Sequence, residues 1–95
     1  MRRFEYTATA RRDLAEIHER IFDQDQTTAV LVVDRIQNIV ESISTLPTMG
    51  KPVGQAGNWV IGGSPKSPFR ITYRFNEGCV FIVRIFRARR KNIQF

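Results

Sequence analysis

The chemistry in this sequence is carried mainly by its arginines. Arg70, Arg74, Arg84, Arg87, Arg89, Arg90 and Lys91 crowd the closing stretch of the chain. Residues two apart on a strand share a face, so Arg70 and Arg74 point the same way, and Arg84 can join them from across a hairpin. Each guanidinium offers a planar fork of donors that suits phosphate or carboxylate. Such a cluster is expected to grip an anion and form the target-binding set, the alternative being a solvated cationic face with no specific ligand. Catalysis through proton transfer needs positioned groups that change protonation. The second half of the chain contains no histidine, one carboxylate (Glu77, in a turn) and one tyrosine (Tyr73, on the apolar side of its strand). Binding without a catalytic residue is therefore the first reading. The second is an endoribonuclease using Lys51, Lys66, Arg70, Arg74 and Tyr73, with lysines activated by neighbouring cations.

Charge is distributed unevenly. Fifteen Lys and Arg against nine Asp and Glu give +6 overall. Residues 1–48 hold six basic and eight acidic side chains, net −2, while residues 49–95 hold nine basic and one acidic, net +8. The second half presents a cationic surface to a nucleic acid, an acidic protein or an anionic membrane. No apolar run approaches the roughly 20 residues of a membrane span, and the start MRRFEYTATARR lacks the apolar stretch of a secretory signal, so a cytoplasmic protein with no membrane partner is expected. A single cysteine, Cys79, and a single histidine, His18, leave no internal disulfide and too few ligands for zinc. No metal and no cofactor are expected.

These residues must be positioned by one domain, since 95 residues leave no room for a second core. A chain of this size buries only about 60 to 65% of its unfolded surface, so a partner is expected to cover part of the rest. Arg3 to Thr7 alternates polar and aromatic, as a short strand does. From Ala8 to about Gln24, Ala10, Leu14, Ile17 and Ile21 form the stripe of a helix that Thr7 or Thr9 can cap. Thr27 can cap a second helix with Ala29, Val33, Ile36, Val40, Ile43 and Leu46 inward, stopped by Pro47 and Gly50. Residues 47–57 read as a loop, 58–61 as a short strand, and Gly62 to Pro68 as a turn. Phe69, Ile71, Tyr73 and Phe75 alternate with Arg70, Thr72 and Arg74, the clearest strand pattern in the chain. After the reversal Asn76-Glu77-Gly78, Cys79 to Phe86 is almost wholly apolar, as a central strand covered on both faces would be, and Arg87 to Lys91 leaves the sheet as a tail. The expected fold is α+β, in the order β-α-α-β-β-β, an antiparallel meander packed on an N-terminal helical hairpin. The pattern does not assign the first strand's neighbour.

The remaining chemically notable residues read first as structure. His18 lies at the margin of the first helix's stripe, and Cys79 opens an apolar strand as a small hydrophobe. Trp59, on a short strand, is core or a partner's anchor. Gly62-Gly63 lacks the pattern of a phosphate loop.

Several segments in order resemble the ParE/RelE superfamily of type II toxin-antitoxin toxins, closest to its ParE branch. They are Ala10 with Asp13-Leu14 and Ile17, the Leu46-Pro47-x-Met49-Gly50-Lys51-Pro52 helix exit, and Gly62-Gly63-Ser64-Pro65. The series continues with Phe69-Arg70-Ile71-x-Tyr73-Arg74-Phe75 and closes with Val83-Arg84-Ile85-Phe86-Arg87-Ala88-Arg89-Arg90. The resemblance implies a bacterial toxin held inactive by a cognate antitoxin with an acidic, partly disordered segment, in a possible hetero-oligomer. ParE-like members poison DNA gyrase, whereas RelE-like members cut messenger RNA on the ribosome. Many relatives carry His where this chain has Arg87, and the ribonuclease branch commonly ends in Tyr or His where this chain has Asn92-Ile93-Gln94-Phe95. Lys66-Ser67-Pro68 resembles a small insertion in the usual Ser-Pro-aromatic step. The first two departures weaken the nuclease reading and put gyrase inhibition first, with a relative that has lost toxicity and only binds an antitoxin as a further alternative. The helical hairpin, through Leu14, Ile17, His18 and Ile21, is then expected to dock the antitoxin together with Trp59.

Overall fold

Helix α1 (Ala8–Phe22) starts where the Thr7 hydroxyl accepts the Ala10 N–H at 3.0 Å. The same hydroxyl donates to the Val83 carbonyl at 3.0 Å, which ties the helix start to the far end of the sequence. Helix α2 (Gln26–Thr45) is capped by Asp25, two residues before the Thr27 cap suggested by sequence. The Asp25 carboxylate accepts the Thr28 hydroxyl at 2.9 Å and the Thr27 N–H at 3.0 Å, and the Thr28 bonds above all hold its pKa below the ordinary value. Pro47 ends the helix, and a single 3-10 turn (Pro47–Met49) leads into the sheet.

The computed structural model describes residues 2–54, 56–64 and 67–87. Its strands are β1 (Arg3–Tyr6), β2 (Lys51–Val53), β3 (Asn58–Ser64), β4 (Ser67–Phe75) and β5 (Cys79–Arg87), in sheet order β1-β5-β4-β3-β2. The meander β2 to β5 is antiparallel. β1 pairs with β5 in parallel, from Arg3 opposite Cys79 to Tyr6 opposite Ile82, so the sheet is mixed. The α+β class with the helical hairpin stands, and three details of the expectation are corrected. Lys51 to Val53, expected in a loop, form an edge strand. Pro52 is tolerated there because its missing N–H faces no neighbour. Of the turn expected from Gly62 to Pro68, Gly62 to Ser64 and Ser67 to Pro68 are instead strand, with Gly62 at φ 93° and Gly63 at φ 82° making an irregularity in the register. A Cβ on Gly62 would run into the Phe69 carbonyl oxygen, so only glycine fits. Arg87 belongs to β5 and does not leave the sheet.

Alternation along β4 and β5 sends Phe69, Ile71, Tyr73, Val80, Ile82 and Ile85 toward the helices, where they meet Ala10, Ile36, Val40 and Ile43. Each fully buried aliphatic chain contributes about 1.5 to 3 kcal/mol. Leu14, Ile17 and Ile21 lie half-buried against this core. Leu46, expected to extend the α2 stripe, falls just past the helix and is 57% exposed. β5 is central in the sheet, but helices cover only one of its faces. Phe81 and Val83 are half-buried on the outer side, and Phe86 is 38% exposed. Its apolar run does not mark two covered faces. No helix of the described residues is long and apolar enough to cross a membrane.

Two tyrosines test the polar accounting. The buried Tyr73 hydroxyl donates to the Pro47 carbonyl at 2.6 Å and accepts the Gly50 N–H at 3.1 Å, fastening the helix exit to the sheet. Tyr73→Phe leaves both partners without it and is expected to cost about 2 kcal/mol. Among the described residues the buried Tyr6 hydroxyl has no partner, and burial, with the Glu41 charge second, raises its pKa. Tyr6→Phe is therefore expected to leave stability unchanged or slightly higher. Urea unfolding of the two variants checks this; equal losses would contradict it.

Candidate functional site

The helices pack against one face of the sheet, and among the described residues the other face carries no second layer. The strand registers order its side chains into rows. Val53, Asn58, Arg74, Phe81 and Glu5 form one row, Lys51, Val60, Thr72 and Arg84 the next, and Arg70 lies opposite Phe86 in the last. Arg70 and Arg74 share this outer face, as their spacing implies, and both are exposed. Asn58 accepts the Arg74 Nε–H at 2.7 Å and so aims that guanidinium. Around it, Thr7, Asn58, Phe75, Asn76, Phe81 and Val83 line a shallow depression of about 560 Å³. Arg3, Lys51, Arg70, Arg74 and Arg84 belong to this side by register, against the carboxylate of Glu5.

Arg84 joins the row opposite Thr72, but its head is already engaged. β1 covers β5 only as far as Ile82, and β5 carries an extra residue at Val83, which turns the following N–H groups toward α1. There the Asp13 carboxylate accepts the Ile85 N–H at 2.9 Å and the Arg84 Nε–H at 2.8 Å. Arg84 is half-exposed, with its guanidinium 6.0 Å from the Phe86 ring centre. The Asp13 hydrogen bond, then its charge, holds the Arg84 pKa above the ordinary value. Beside this link α1 and β5 frame a groove of about 440 Å³, lined by Ile17, Ile21 and Gln24 on one wall and by Ile85 and Arg87 on the other. Arg87 lies opposite the buried Phe69, on the helix side of the sheet, and does not join Arg70 and Arg74 on the outer face. Arg89, Arg90 and Lys91 fall outside the described residues.

The remaining candidates are dispersed. Ile17 and Ile21 face the groove, Leu14 packs on the core, and His18 stacks on Phe22 with ring centres 5.4 Å apart. Trp59 sits near the opposite edge of the sheet, half-buried against Tyr73 and Phe75. Lys51 is exposed on the edge strand, and Lys66 lies outside the described residues. Tyr73 points away from the arginines into the core, and burial raises its pKa. Asp13, Phe81 and Phe86 were not singled out as site residues by sequence reasoning. The available signal was Asp13 at the rim of the α1 stripe and large rings at outward positions of the last strand. Cys79 is buried, and no group of three metal-ligating side chains occurs among the described residues.

A sequence profile described as "ParE toxin of type II toxin-antitoxin system, parDE" matches residues 4–92. The chain belongs to the ParE toxin family. The fold of this ParE-family chain is similar to that of the chromosomal ParDE toxin-antitoxin system from P. aeruginosa, with TM-score 0.79 and 22% identity over 94% of this chain and 98% of that one. It is also similar to the isolated RelE toxin of E. coli, with TM-score 0.70 and 14% identity over 98% and 90% of the two chains. The RelBE2 toxin-antitoxin complex of Mycobacterium tuberculosis gives 0.66 and 22%, over 92% and 98%. No curated protein is a significant match by sequence. The α+β fold of this ParE-family chain is shared with those ParE-type and RelE-type structures.

Proposed function

We propose that this ParE-family toxin acts by binding and not by catalysis, inhibiting DNA gyrase in the cytoplasm with its outer sheet face and restrained by a cognate antitoxin. The observation that carries the reading is the separation of Tyr73 from the arginines. Its hydroxyl is consumed by Pro47 and Gly50 on the opposite side of the sheet. Arg70, Arg74 and Lys51 thus surround no tyrosine able to exchange a proton, and an arginine always keeps its own. What remains is a surface suited to holding an anion. The likeness to a ParDE structure supports the same branch.

The antitoxin side is proposed at the α1–β5 groove, where Ile17 and Ile21 present apolar surface beside Arg20 and Arg87. An acidic chain that orders on binding fits such a wall, and the +8 charge of the second half speeds its arrival. Leu14, His18 and Trp59 are supporting residues in this proposal, behind or beyond the groove. A hetero-oligomer with the antitoxin is its expected form.

Purified toxin added to gyrase and relaxed plasmid should block supercoiling or trap cleaved DNA. Unimpaired gyrase at a large toxin excess would remove the proposal. The endoribonuclease reading draws on the RelE-like fold and on Lys51, Arg70 and Arg74 sharing one face. Primer extension on translated messages from induced cells decides it, since codon-positioned cuts would favour it over gyrase. Normal growth on induction would instead point to a relative that has lost toxicity.

A further inference from the structure

The outer face pairs each β4 arginine with a β5 phenylalanine. Arg74 lies opposite Phe81 and Arg70 opposite Phe86, and the Arg84 guanidinium also approaches the Phe86 ring. The two rings are five positions apart, about 13 Å along the strand after allowing for the extra residue at Val83. A purely acidic protein surface would be matched by the cations alone and gives no reason for large rings to face solvent among them. Bases supply that reason, since every base offers a flat face to a ring or a guanidinium while its phosphate takes the charge. The spacing holds about four stacked nucleotides at roughly 3.4 Å each. Duplex DNA hides its base faces, so the strand must be single.

We infer that the outer face of the sheet is a binding site for single-stranded DNA, with Phe81 and Phe86 stacking bases and Arg70, Arg74 and Lys51 holding phosphates. This inference deepens the proposed reading of that face as target-facing. Charge complementarity supports it, because Arg3, Lys51, Arg70 and Arg74 face the strand against the carboxylate of Glu5. The apolar part of the depression on this face, Phe81 and Val83, favours a deoxyribose over a ribose, whose 2′-hydroxyl would be stripped of water there.

Fluorescence anisotropy with a labelled thymidine oligomer about twelve nucleotides long tests the site on the full chain. Binding is expected to weaken about 20-fold between about 50 and 200 mM salt if three cations meet three phosphates. Phe86→Ala, on an exposed side chain, is expected to weaken it about tenfold. Phe81→Leu keeps the apolar volume, removes the ring and should act in the same direction without unfolding the protein. Arg74→Gln should lower the salt dependence by about 0.7 in log–log slope. Absence of binding at low salt, variants indistinguishable from the parent, or a uridine oligomer or duplex bound as tightly would overturn the inference. A toxin that blocks gyrase without binding the oligomer refutes this site and leaves the proposed function standing. One that binds the oligomer and spares gyrase supports the site and refutes the function.

Discussion

Arg70→Glu combined with Arg74→Glu is expected to reduce gyrase inhibition at least tenfold while moving the melting temperature by no more than about 4 °C. Both side chains are exposed on a face that no helix of the described residues covers, so the fold loses little beyond the Arg74 bond to Asn58. The pair changes the local charge by four units on the face proposed to meet the target, and juxtaposed like charges cost several kcal/mol at a contact. Supercoiling assays across a toxin titration, with thermal melts alongside, give both numbers. Arg11→Glu with Arg12→Glu makes the same change on the exposed side of α1 and should leave inhibition intact. Full activity in the sheet variant, or equal loss in the helix variant, would place the target elsewhere.

The second large effect is structural. Gly50→Ala is expected to cost about 3 kcal/mol and lower the melting temperature by about 12 to 24 °C. Gly50 has φ −84°, which any residue can adopt, so the objection to alanine is space and not conformation. The added Cβ would lie 2.5 Å from the Val60 carbonyl oxygen and would collide with the Tyr73 hydroxyl. Neither neighbour can yield, one being sheet backbone and the other held by Pro47. Removing the hydroxyl relieves one collision. The double variant with Tyr73→Phe should therefore lose less than the sum of the two single losses, by a margin that thermal or urea unfolding resolves. Strict additivity would show that the hydroxyl is not what blocks the alanine.

Much of this molecule is written locally. The α1 stripe, the α2 stripe up to Ile43 and the alternation from Phe69 to Phe75 each repeat with the period of their element, and each forms where its period predicts. The same alternation placed Arg70 and Arg74 on the open face. Features that depend on distant pairing were not legible. Lys51 to Val53 contain Pro52 and sit among glycines, and they become a strand only because β3 offers them an edge. The extra residue at Val83 reverses the orientation of everything after it. Simple alternation from Val80 therefore misplaces Arg87, which faces α1. Arg84 looked free because its partner Asp13 is 71 residues away in the chain. Tyr73 as an acid–base candidate depended on a hydroxyl whose partners, Pro47 and Gly50, lie more than 20 residues earlier.

The parallel pairing of β1 with β5 has a consequence for the cell that makes the toxin. Among the described residues β5 is the only strand touching β1, and it supplies Val80, Ile82 and Ile85 to the floor beneath both helices. A polypeptide whose synthesis aborts before Cys79 has no middle to its sheet and no mate for its opening strand. Ribosomes that stall midway on this message thus release a chain that cannot build this sheet or close its core.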